Sequence, residues 1–276
     1  MGKFDGVLLA SDYDDTLYDK HFSISPENLE AVDYFLREGG TFTVSTGRSL
    51  KNFTIQMELE RLPVNAPVIL ANGAVIHDFS SGETLWKRTL PETVAAHLEE
   101  VCARFPQVGF EAYHQEADGE ERVYTFRANA ATEKHLKRCR LTGIEAPIRA
   151  MPVPWIKVIL QHLDTDYLLQ VEDYLLNRFG GEYEITFSNP YLLEVTAKGA
   201  NKGLCVQRVA KRMGIDPKHV YCVGNGINDI PMLAVSAIPF APADCYDEVK
   251  EWGAVILPSC NESCVAELIR RLDGIY

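Results

Sequence analysis

The stretch FDGVLLASDYDDTL, residues 4–17, decides the fold. Its first half is an apolar run of strand length, and Asp12, Asp14 and Asp15 follow within four residues. A strand ending in acid and leading to a helix is the opening of an open parallel sheet, where ligands collect outside the C-terminal strand ends. The helix is signalled by Ser25-Pro26-Glu27: an N-cap, a proline at the first helical position and an acid in the first turn. Leu29, Val32, Tyr34, Phe35 and Leu36 supply its apolar side, and Gly39-Gly40 stops it. TFTVS (41–45) and PVILAN (67–72) read as a second and a third strand. Strands alternating with helices imply a parallel sheet covered on both faces.

From residue 77 the texture changes. HDFSSGETLWKRTL reads as a hairpin around Ser81-Gly82, LPETVAAHLEEVCARF as an amphipathic helix, and RVYTFRAN and PWIKVILQHL as strands separated by a helical ATEKHLKRCRL. DYLLQVEDYLLNRFGG is a further helix, and YEITFSNPYLLEVTA two strands joined at Asn189-Pro190. From Asn201 the alternation resumes with NKGLCVQRVAKRMG, HVYCVGN and their successors. The expected fold class is α/β: a doubly wound, Rossmann-like parallel-sheet core, residues 1–78 and 191–276, interrupted by an inserted α+β domain, residues 79–190.

Composition narrows the function. A formal net charge of −12 opposes a nucleic-acid partner, which needs a basic field to collect phosphates. No run approaches the roughly 18–20 apolar residues of a membrane span, and the N-terminus lacks the pattern of a signal peptide. Seven cysteines without framework spacing read as reduced thiols, so a cytoplasmic location is expected.

Three strands bring polar groups to one rim: the first ends at Asp12, Asp14, Asp15 and Thr16, the second at Ser45-Thr46-Gly47-Arg48, and HVYCV at Gly224-Asn225-Gly226-Ile227-Asn228-Asp229. Carboxylates that repel one another need a cation, and a few hard oxygens favour Mg²⁺, which keeps positions for water and a substrate phosphate.

DYDDTL, STGR, NKG and GNGIND, in that order, resemble the motifs of the haloacid dehalogenase superfamily. With ILANGA after the third strand, the chain is similar to the Cof-type sugar-phosphate phosphatases over essentially its whole length. The resemblance implies Asp12 as nucleophile, forming an aspartyl-phosphate, and Asp14 as the acid and base that serves leaving group and water. It implies Thr46, Gly47, Arg48 and Asn228 as phosphate-binding residues and Lys202 as the catalytic cation, in preference to Lys198. Mg²⁺ is implied as cofactor, held by Asp12, Asp14, Asn225 and Asp229. The insertion between Thr46 and Lys202 corresponds to a type C2 cap that selects the leaving group. The implied activity is Mg²⁺-dependent hydrolysis of small phosphorylated metabolites, sugar phosphates foremost. A phosphotransferase or mutase on the same site, and a sugar-phosphate-binding protein, are the alternatives.

Position 225 departs from the family pattern, which has aspartate there. Asparagine offers an oxygen without a charge, so a weaker metal site and slower turnover are expected. Asn225-Gly226 is also a dipeptide prone to deamidation, which would restore a carboxylate.

Overall fold

The computed structural model describes residues 2–117 and 119–276. Two compact units emerge. One holds the chain up to Gly47, Thr54–Trp86 and Asn201–Tyr276; the other holds Arg48–Phe53 and Lys87–Ala200.

The first unit begins with β1 (Leu8–Ser11), α1 (Pro26–Arg37) and β2 (Thr41–Val44). Ser25 caps α1 by accepting the Asn28 N–H at 3.1 Å. Helix α2 (Leu50–Glu60) starts in the second unit and ends in the first. Then come β3 (Val68–Leu70), β4 (Val75–Asp78) and β5 (Glu83–Lys87), which form a small sheet in the order β3-β4-β5.

The second unit runs α3 (Val94–Arg104), β6 (Gly109–Gln115), β7 (Glu121–Phe126), α4 (Ala130–Cys139), β8 (Gly143–Glu145), β9 (Trp155–Gln161), α5 (Thr165–Phe179), β10 (Tyr183–Asn189) and β11 (Leu192–Ala197). Its sheet has the order β10-β11-β9-β6-β7-β8. Register places Tyr113 opposite Lys157, and Glu111 and Glu194 on either side of Ile159, so these side chains share one face. All are buried, and Lys157 Nζ lies 2.9 Å from Glu194 and 4.7 Å from the centre of the Tyr113 ring.

The first unit resumes with α6 (Lys202–Met213), β12 (Val220–Val223), α7 (Ile230–Leu233), β13 (Pro239–Pro242), α8 (Asp247–Trp252), β14 (Val255–Leu257) and α9 (Cys264–Asp273). Its main sheet is parallel, in the order β14-β13-β12-β1-β2. Leu8, Leu9 and Ala10 of the central strand are wholly buried, as the apolar run requires. Val206 and Val209 of α6 pack under Leu8, Ala10 and Val220.

Two details depart from the sequence reading. PVILAN does not extend the parallel sheet as a full strand: β3 pairs antiparallel with β4, and a single parallel bridge, Ser45 to Ile69, ties it to the end of β2. The divisions at 78/79 and 190/191 also fall inside paired strands, β4 with β5 and β10 with β11. Their hydrogen bonds keep each pair together, so the units divide at 86/87 and 200/201.

Candidate active site

Ser11 pairs with Val223 on one side and Val44 on the other, so β12, β1 and β2 end flush. The Asp12 N–H continues the ladder to the Val223 carbonyl, and the Ser45 N–H to Ser11. This register brings Asp12, Thr46 and the turn after Val223 to one rim of the first unit.

Lys202 enters from the first position of α6, capped by Asn201, whose side chain accepts the Leu204 N–H at 2.9 Å. It is fully buried, and its Nζ donates to Asp12 Oδ1 at 2.6 Å and Asp229 Oδ1 at 2.5 Å. Burial disfavours the ammonium, but Asp12 and Asp229 outweigh it and hold the Lys202 pKa well above its ordinary value. For Asp12, burial and the neighbouring Asp229 push the carboxyl up to about 8 against the pull of Lys202, with Asp14 adding to the rise.

The second oxygen of Asp12 accepts the Thr16 hydroxyl at 3.2 Å, and the same hydroxyl lies 3.3 Å from Asn225 Oδ1. The hydroxyl has a single proton to offer the two acceptors. Asp12 Oδ2 and Asn225 Oδ1 thus converge on one point as hard oxygens. Asp12 and Asp229 share the one ammonium, and the nearby Asp14 adds to the repulsion that raises Asp12, a repulsion that a dication would relieve. The donor set therefore fits Mg²⁺.

Asp229 turns its other oxygen back on the loop, accepting the N–H groups of Asn225 and Gly226, each at 2.9 Å. Both oxygens are thus engaged by protein donors. The Gly226 nitrogen is the nucleophile that deamidation of Asn225 needs, and its engagement with Asp229 works against that reaction. Gly224 is required by this closeness: a Cβ there would stand 2.5 Å from Asp229 Cβ.

Thr46 is buried, its N–H bound to Ile69 and its carbonyl accepting the Asn72 N–H at 3.0 Å. Arg48 groups with the second unit, where its guanidinium donates to Asn52 at 3.2 Å. Asn228 donates to Asn72 Oδ1 at 3.1 Å. Sequence reasoning gave Asn72 no role. It has a left-handed backbone (φ 52°), and its buried Nδ2 has no hydrogen-bond partner among the described residues. Gly73 follows at φ +94°, so close to Asn201 that a Cβ would lie 2.4 Å from the Asn201 carbonyl oxygen. The available signal was the Asn-Gly pair after a strand, which marks a left-handed turn.

The loop after β1 is fastened from the far end of the chain. Cys264 Sγ donates to the Thr16 carbonyl, and Lys20 Nζ meets Asp244 Oδ2 at 2.6 Å. Asp244 also accepts the Cys260 N–H at 3.0 Å. Burial would raise the Asp244 pKa, but the bonds from Lys20 and Cys260 prevail and bring it down to about 2. A carboxyl depressed on folding stabilises the protein above its unfolded pKa, and that contribution fades as pH falls through the folded value. Asp244→Asn is expected to melt below wild type at pH 7, with the gap closing as pH approaches 2. Parallel melts across that range test it, and a constant gap would refute the assignment.

The profile of the haloacid dehalogenase-like hydrolases matches residues 9–269. The chain belongs to that family, and it is a phosphatase. It is 27% identical over 292 residues to the 5-amino-6-(5-phospho-D-ribitylamino)uracil phosphatase YwtE of Bacillus subtilis (strain 168), covering 97% of this chain and 99% of that one. It is 28% identical over 264 residues to YcsE of the same organism, a phosphatase of the same name, covering 95% and 94% respectively. Its fold matches that of a haloacid dehalogenase-like hydrolase from Bacteroides thetaiotaomicron with a TM-score of 0.81 at 23% identity, over 98% of this chain and all of the other.

Proposed function

We propose that the chain is a Mg²⁺-dependent phosphomonoester hydrolase of small polyhydroxylated metabolites, sugar phosphates foremost, working through an aspartyl-phosphate on Asp12. The observation that carries the reading is the buried Lys202 ammonium shared between Asp12 and Asp229 at the end of β1. Two relatives support the substrate class, since both are named for removing phosphate from a D-ribityl chain, a polyol.

A carboxylate oxygen of Asp12 attacks phosphorus and the ester oxygen leaves, taking a proton from Asp14. Asp14 then takes a proton from water, whose oxygen attacks the same phosphorus and releases Asp12. Lys202 neutralises the anionic oxygens throughout, with the Thr46 hydroxyl and Gly47 N–H as further donors. Asn228, steadied by Asn72, orients the phosphoryl group. Mg²⁺ would be held by Asp12, Asn225 and the Asp14 segment, where it would neutralise charge on the phosphoryl group and on Asp12. Asp229 holds Lys202 and the loop in place. The unit inserted between Thr46 and Lys202 in the chain is assigned the choice of leaving group.

Phosphate release from a panel of sugar phosphates and the ribityl substrate of the relatives, with and without EDTA, tests the reading. Metal-dependent release from polyol phosphates is expected; release indifferent to EDTA, or none from folded protein, overturns it. Asn225→Asp adds a charged ligand and is expected to lower the Mg²⁺ concentration giving half-maximal rate by about tenfold. A Mg²⁺ titration of both proteins checks this.

A further inference from the structure

The second unit contains a cluster of titratable side chains that the phosphatase chemistry does not use. His135 and Cys139 lie one turn apart on α4, with Cys139 Sγ 3.4 Å from His135 Nε2. The other ring nitrogen, Nδ1, is 2.9 Å from Glu111 Oε2 on β6. Glu111 is fully buried and also accepts the Tyr113 hydroxyl at 2.9 Å and Gln161 Nε2 at 2.8 Å. Gln161 is itself fully buried, and its Oε1 has no hydrogen-bond partner among the described residues.

We propose that Cys139 is a reactive thiol, activated by His135 and Glu111, and a site of mixed-disulfide formation with small-molecule disulfides. The thiol proton passes to His135 Nε2, and Glu111 stabilises the resulting imidazolium through Nδ1. The thiolate attacks one sulfur of the disulfide. The S–S bond of the reagent breaks as the Cys139 S–S bond forms, and the departing thiolate takes the proton from His135.

The other six cysteines lack this environment. All are buried, whereas Cys139 is partly exposed. Burial raises the pKa of each of them, pushing Cys102, Cys205, Cys222 and Cys260 up to about 12. Helix geometry works against the Cys139 thiolate, because Cys139 ends α4, where the dipole is negative. Lys137 and Arg138 in the last turn offset part of that. The groups facing the pair from other elements are Glu111 and Tyr113 of β6 and Gln161 of β9. Asn52 of α2 donates to the Cys139 carbonyl and accepts from the Arg48 guanidinium. The imidazolium must therefore supply most of the stabilisation. His135 meets that need: burial opposes its charge, but Cys139 and Glu111 prevail and raise its pKa well above the usual value.

The test is modification of the native, full-length phosphatase by a small aromatic disulfide or by iodoacetamide, mapped by peptide mass spectrometry. Cys139 is expected to react at least about tenfold faster at pH 7 than any other cysteine. Cys139→Ser abolishes the fast phase, and His135→Gln slows it while Cys139 remains modifiable in the folded protein. A Cys139 that reacts no faster than the other cysteines, or a rate unchanged in a folded His135→Gln variant, overturns the proposal. Neither outcome bears on the reading of Asp12.

Discussion

Asp12→Asn is expected to abolish phosphate release, with a loss of at least about 10⁴-fold, the scale on which removing a covalent nucleophile acts. The amide cannot form the mixed anhydride with phosphate. It fits the space, since Asp12 is held by hydrogen bonds to its oxygens and N–H that asparagine largely reproduces. The substitution also removes one of three mutually repelling acids. The variant is therefore expected to melt no lower than wild type in EDTA while being inactive with Mg²⁺. A steady-state phosphate assay paired with thermal melts separates the two effects. Residual activity above about 1% of wild type would point to another nucleophile.

Lys202→Met should fail in both respects. Methionine fills the volume, but Asp12 and Asp229 are left buried without their cation, a situation that costs about 3–5 kcal/mol when one partner of a buried pair is removed. The two carboxyls would then bind protons on folding. Groups with a raised folded-state pKa lose stability as pH rises, so the deficit should be largest in alkali and shrink towards pH 5. Mg²⁺ should recover part of the stability by supplying charge. The rate is expected to fall about 10²–10³-fold, the usual effect of deleting one donor to a developing anion. Urea melts at several pH values, with and without Mg²⁺, check the stability arm. A variant as stable as wild type in EDTA would mean that the acids are already neutral.

Much of this was legible in the sequence, for local reasons. Ser25-Pro26, Asn201 and the glycines after helices are punctuation that works residue by residue, and the helices form where those signals stand. The rim of Asp12, Thr46 and Asn225 followed from strand ends alone, because parallel register aligns them. Strand β6 was hidden. In GFEAYHQ the polar residues Glu111 and Tyr113 are buried in a hydrogen-bonded network, so apolar alternation does not mark the strand. Helix α2, LKNFTIQMELE, carries no clear apolar stripe and no acid in its first turn. The partners of Lys202 also lay beyond reach: the pairing with Asp229 joins residues 27 apart through the packing of α6 near α7, which no local pattern encodes. Asn72 escaped because its part depends on a left-handed backbone and on Asn228, 156 positions away.

The short segment Arg48–Phe53 makes the insertion less portable than a simple cassette. The polypeptide changes units at 47/48, 53/54, 86/87 and 200/201, four times where a plain insertion needs two. A chimera that exchanged only Lys87–Ala200 would carry a foreign helix to Asn52, whose amide now binds the Cys139 carbonyl, and a foreign hairpin to Lys51, which reaches Glu120. Swapping this unit between relatives thus calls for a two-piece graft, the insertion together with the start of α2. The same split gives selection two places to act on one compact unit, one of them beginning at Arg48, the last residue of STGR.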